Sequence, residues 1–158
     1  MSALGADGRL IDTHCHLDML RYPIADALQD AARAGLAGAI TVGIDAASSR
    51  RAVELAESYA AAPDGVAVWA TVGLHPHDAQ HWDDALATDL RELAGGPRVV
   101  AIGECGLDYY RDLSPRDAQV RAFVAQLDLA RQLRKPVVVH VREAADDALT
   151  LLAAHGDG

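Results

Sequence analysis

The sequence predicts an α/β fold made of about five β/α units in succession. Three observations carry this. Short, nearly continuous apolar runs recur along the chain, each is followed by an Ala/Leu-rich stretch with helical spacing, and the connections between them are short. Apolar strands of this kind are buried on both faces, as in parallel sheets covered by crossover helices.

The elements follow in order. Arg9 to Thr13 is the first strand, Ile24 to Ala34 the first helix and Ala37 to Val42 the second strand. Ser48 or Ser49 caps a helix running to about Ala62, Val66 to Val72 is the third strand, and Asp83 to Leu93 is helical. Arg98 to Ile102 is the fourth strand. Ser114-Pro115 opens the strongest helix, in which Val120, Phe123, Val124, Leu127, Ala130 and Leu133 recur at helical spacing up to a stop near Arg134. The strand Val137 to Val141 follows Lys135-Pro136, and a last helix spans roughly Glu143 to Ala154. A complete eight-unit barrel needs at least about 200 residues. Five units in 158 residues therefore predict either a truncated barrel or an open doubly wound sheet. No repeat, low-complexity segment or long linker divides residues 1–158, which read as a single domain.

Composition narrows the function. With 51% hydrophobic and 23% charged residues, a disordered tail or a fibre is excluded. Asp and Glu number 23 against 14 Lys and Arg, a net charge of −9. That argues against broad adhesion to polyanions and leaves room for a local basic or metal-lined nucleic-acid site. Lys135 is the single lysine. Two cysteines, Cys15 and Cys105, are too few for a disulfide scaffold and predict a reducing cytoplasm. Met1 to Asp12 lacks a signal-peptide pattern, and the longest nearly apolar run, Ala34 to Ile44, is too short to span a bilayer.

Four clusters can carry chemistry. In Asp12-Thr13-His14-Cys15-His16, strand alternation turns His14 and His16 to one side and Cys15 to the other, so two imidazoles can share a metal. The bland alternative is two histidines in a polar loop, with Asp12 either an orienting carboxylate or a core-edge acid. In Gly73-Leu74-His75-Pro76-His77, His75 is the better site candidate, and His77, His81 and His155 are expected to face solvent. Gly103-Glu104-Cys105-Gly106 puts a carboxylate directly after the fourth strand, either as a ligand bridging two cations or as a solvated loop acid; Tyr109 and Tyr110 read equally as packing residues. In Val137-Val138-Val139-His140-Val141-Arg142, Arg142 shares a face with His140, to meet a phosphate oxygen or a neighbouring helix. All four lie at the carboxyl ends of successive β units, the edge where α/β enzymes place their sites.

Taken together, Ile11 to Asp18, Gly73 to His77, Gly103 to Tyr110 and Lys135 to His140 resemble the TatD family of metal-dependent deoxyribonucleases, in the amidohydrolase-like superfamily. The resemblance implies a partial TIM-type (β/α) barrel with about five of eight units. It implies that His14 and His16 hold one divalent ion, that Glu104 bridges two and is the catalytic carboxylate, and that His140 holds the second. His75 matches a family position near the substrate phosphate. The ions would be Mg, Mn or Zn and the partner DNA. Family members continue with three more strands that bring a further metal-binding histidine and a Thr-Asp motif, so the 158 residues alone are expected to be inactive and to self-associate through the open sheet edge. Two readings compete. One is a sister amidohydrolase acting on cyclic amides or esters, whose bridging carboxylated lysine after strand four has no match in Lys135. The other is a non-catalytic partial barrel.

Overall fold

The computed structural model describes residues 10–60 and 65–156. Strands and helices alternate: β1 Leu10–Cys15, α1 Ile24–Arg33, β2 Leu36–Val42, α2 Ala46–Ser58, β3 Ala67–Val72, α3 Asp84–Ala94, β4 Val99–Asp108, α4 Arg116–Leu133, β5 Val137–Arg142 and α5 Ala145–His155. The strands form one sheet in the order β1-β2-β3-β4-β5, every neighbouring pair parallel. A doubly wound sheet reverses its strand order part-way and a β/α barrel does not. The sequential order therefore selects the partial barrel.

Helices cover one face of the sheet. Val68, Ala70 and Val72 of β3, with Val99 and Ile102 of β4, pack against Leu55 and Ala56 of α2 and Leu90 and Ala94 of α3. Cys105 and Leu107 pack with Phe123, Leu127 and Ala148 of α4 and α5. Because side chains alternate along a strand, Gly106 and Asp108 face the opposite, inner side. His140 does too, since its neighbour Val139 belongs to the helix-side cluster.

The predicted units are all present, with shifted ends. Arg9 and Ala62 lie outside the described residues. α2 is capped by Asp45 rather than Ser48 or Ser49: the Asp45 carboxylate accepts the Ser48 N–H at 2.7 Å while Ser48 Oγ accepts the Asp45 N–H at 2.9 Å. The largest correction is β4, which runs on to Asp108 instead of stopping at Ile102. Glu104 is thus a strand residue and not a loop acid. Gly103 and Gly106, which lie beyond the predicted end of the fourth strand, have φ of +132° and +139°. A Cβ there would sit 2.3 Å from the Val138 carbonyl oxygen and 2.1 Å from that of His140. Glycine is what lets β4 pass this close to β5.

Burial on both faces holds for β4 and fails for β1. Nine of ten β4 residues are buried, whereas five of six β1 residues are exposed. β1 lies at one edge of the described sheet and lacks a neighbour on that side.

Candidate metal centre

β1 and β4 are each bulged at a candidate ligand, His14 and Glu104. From Asp12 to Cys15, β1 takes three steps against two on β2, Ala39 to Thr41. From Ile102 to Cys105, β4 takes three against two on β5, Val137 to Val139. An extra residue of this kind re-aims a side chain at a sheet rim. The β4 bulge is pinned by the Thr71 hydroxyl, which donates to the Gly103 carbonyl at 2.6 Å, and by the Glu104 N–H, which donates to the Gly43 carbonyl at 2.9 Å.

The four sequence-predicted ligands come together. Glu104, 9% exposed, turns one carboxylate oxygen to each side: Oε2 lies 3.4 Å from His14 Nε2 and Oε1 lies 3.2 Å from His140 Nδ1. His14 and His16 stand edge to face, ring centroids 5.3 Å apart. Asp12 accepts the backbone N–H of His14 at 3.0 Å and does not contact its ring. His16 Nδ1 lies 3.0 Å from the Val42 carbonyl oxygen. A carbonyl only accepts, so that nitrogen carries the proton and Nε2 keeps the lone pair a metal needs. Cys15 points away as expected, donating to the Ile40 carbonyl at 3.3 Å, and burial pushes its thiol up to about 12.

Ligand atoms of His14, His16 and Glu104 lie within 4.8 Å of one another, and so do those of His75, Glu104 and His140. The two groups share Glu104. His75 is close enough to ligate, but its Nδ1 accepts the His77 N–H at 3.2 Å, which leaves the proton on Nε2. Burial, with His140 and His77 nearby, lowers its pKa to about 3. In this arrangement His75 is neutral and presents Nε2–H as a donor.

Sequence reasoning placed His77 in solvent, and the structure corrects this. Its ring is half-buried, Nε2 lying 2.8 Å from Oδ2 of Asp108, because the short helical turn Pro76–His81 folds back over the end of β4. His81 is exposed, as expected, and His155, half-buried, lies 3.7 Å from Asp128. Arg142 is exposed and stacks on the Tyr110 ring at 4.0 Å. Tyr109 donates to Asp147 at 2.8 Å and packs against the second core cluster.

Three buried polar residues of the site escaped the sequence reading. Asp108 is fully buried, and burial opposes its charge. The N–H of Arg111 and the imidazoles of His77 and His140 outweigh that and hold its carboxyl below the usual range. Gln119 of α4 accepts the Asp108 N–H at 2.8 Å and donates to its carbonyl at 3.2 Å. Gln126, two turns on, does the same for Leu74 at 2.8 and 3.0 Å. The signal was two glutamines seven residues apart on the apolar face of α4.

The family model for the TatD related DNase matches residues 11–158. This chain belongs to that family. It is 46% identical over 125 residues to the 3'-5' ssDNA/RNA exonuclease TatD of Rahnella sp. (strain Y9602), covering 79% of this chain and 46% of that protein. The protein of the same name from Escherichia coli (strain K12) is 42% identical over 127 residues, 80% of this chain and 46% of the relative. The chain thus spans about half the length of the curated relatives it matches. Among solved structures, YJJV, a TatD homologue from Escherichia coli, superposes with TM-score 0.81 at 32% identity, over 92% of this chain and 55% of that one. A TatD family hydrolase from Entamoeba histolytica gives 0.83 at 25% identity, over 94% and 55%.

Proposed function

We propose that this chain supplies the ligand-rich half of a divalent-metal-dependent hydrolase that cleaves phosphodiester bonds in DNA. The observation that carries the reading is Glu104, whose two oxygens face different imidazoles. The donor set of imidazole and carboxylate without thiolate suits Zn, Mn or Mg. His14, His16 and Glu104 would hold one ion, and Glu104 and His140 the other. Two such ions polarise a phosphoryl group and lower the pKa of a bound water.

The chain's own residues do the rest. Neutral His75 offers its Nε2–H to a phosphate oxygen beside Glu104. Arg142, held over Tyr110 at the rim, presents its guanidinium edge to the backbone of the substrate. With a net charge of −9, cations at the site are what admit a polyanion. The names of the relatives extend the substrate to single-stranded DNA or RNA attacked from the 3' end. A carboxylated-lysine centre is disfavoured, because Lys135 donates its Nζ to the carbonyl of Val99 at the amino end of β4.

The described sheet leaves β1 and β5 with one unpaired edge each. We therefore expect the 158 residues alone to bind metal weakly, to self-associate and to leave DNA intact. Among the described residues no helix is long and apolar enough to cross a membrane, and a cytoplasmic site of action fits two unpaired cysteines.

The test is hydrolysis of labelled single-stranded DNA by a protein carrying all the barrel strands, with and without chelator. Glu104→Gln abolishes metal-dependent cleavage, whereas Arg142→Ala, losing one charge-assisted contact, slows it about tenfold. Equal losses in the two variants, or cleavage indifferent to chelator, overturn the reading.

A further inference from the structure

The inner face holds a fully buried carboxylate that neither ligand group includes. Asp108 ends β4, is fully buried, and has every lone-pair direction occupied. Its Oδ1 accepts the N–H of Arg111 at 2.7 Å and of Tyr110 at 3.1 Å. Its Oδ2 lies 2.8 Å from His77 Nε2 and 3.1 Å from His140 Nε2. A carboxylate with about four acceptor sites, all taken, has none left for a cation.

The same count dictates where the protons sit. An ionised carboxylate only accepts, so both imidazole nitrogens that meet Oδ2 are donors. His140 then carries a proton on Nε2, while Glu104 Oε1, also an acceptor, faces its Nδ1 at 3.2 Å. With Nε2–H already committed to Asp108, that contact is satisfied by a second ring proton or, in a neutral ring, by a cation.

We propose that Asp108 is a positioning residue: it fixes the Nε2–H form of His140, makes Nδ1 the metal-binding atom, and thereby orients the second ligand group toward Glu104. His77 supplies the second donor to Oδ2, and the Gln119 amide clamps the Asp108 backbone from α4. Metal-bound histidines commonly donate their other ring nitrogen to a carboxylate, which sets ring orientation and ligand basicity. This inference rests on the metal-site reading above, and its test separates the two.

The chain labelled with 15N is observed by long-range proton–nitrogen NMR of its histidine rings at about pH 8.5, some two units above the ordinary imidazole value. Without metal, His140 shows the proton on Nε2; a proton on Nδ1 overturns the assignment. On titration with Zn2+, the Nδ1 resonance of His140 moves while Nε2–H persists; coordination through Nε2 overturns it. If no Zn2+ binds, the metal-site reading falls, and the metal-free spectrum still decides the role of Asp108. Asp108→Asn keeps an oxygen for the two backbone N–H groups and turns an amide N–H toward the imidazoles. His140 then moves its proton to Nδ1, and Zn2+ affinity measured by calorimetry drops about 10- to 100-fold with the far-ultraviolet circular dichroism unchanged. A folded Asp108→Asn chain with the wild-type tautomer and affinity sinks the proposal.

Discussion

Strands β1 and β4 carry candidate metal ligands to the same edge of the sheet, each through a bulge, in opposite surroundings. β4 is flanked by β3 and β5, sits under α4, and has nine of its ten residues buried. β1 has one strand neighbour in the described sheet and five exposed residues of six. Glu104 and Asp108 are therefore held from several directions, while the His14 side chain is 41% exposed and relies on Asp12 for its backbone geometry. Rigid placement of ligands determines metal affinity. The comparison teaches that the site has a braced half and a loose half, and that substitutions in the two halves differ in kind.

The largest contrast is a methyl group on Gly106. In Gly106→Ala the new Cβ meets the His140 carbonyl oxygen at a φ only glycine tolerates well, so unfolding in urea shows a loss of about 4 kcal/mol. Asp12→Ala on β1 removes one exposed hydrogen bond and costs about 0.5 kcal/mol. Comparable urea midpoints for the two variants would erase the distinction between the halves.

Next in size is the bracing from α4. Gln126→Leu strips the buried N–H and carbonyl of Leu74 of their partner, which costs about 2–3 kcal/mol and frees the segment that carries His75. A variant as stable as the parent would show that Leu74 finds other partners.

The smallest effect separates the two cysteines, both on the helix-facing side of the sheet. Cys105 on β4 is fully buried and Cys15 on β1 is partly exposed, and burial pushes both thiols up to about 12. An aromatic disulfide reagent labels Cys15 first and reaches Cys105 only as fast as the chain unfolds. A folded-state pKa above the ordinary 9.0 means that stability is full below pH 9 and falls as pH rises toward 12. Cys105→Ala flattens that alkaline decline, and an unchanged pH profile would refute the linkage.

These contrasts mark what one sequence can disclose. The alternation of apolar runs and Ala/Leu-rich stretches located all five units, because the pattern belongs to each unit's own residues and survives even in β1, which is largely exposed. His14, His16, Glu104 and His140 were legible as candidates because each interrupts or closely follows an apolar run, a position that local pattern marks. The length of β4 was not legible, since Gly103 and Gly106 look like turn residues until β5 is seen pressed against them. Asp108 gave no local signal either: its imidazole partners lie 31 and 32 positions away in the chain. Nor does the sequence of β1 reveal that one flank lacks a strand, which depends on neighbours and not on its own residues.

The paired glutamines make α4 a gauge block for the site. Gln119 grips Asp108 and Gln126 grips Leu74, so the separation between the His75 segment and the end of β4 is copied from seven residues of helix, about 10.5 Å of rise. Inserting one residue between them would swing one amide about 100° around the helix axis and off its target. The His75 segment and the end of β4 would then lose their common scale while every candidate ligand kept its neighbours in the sequence.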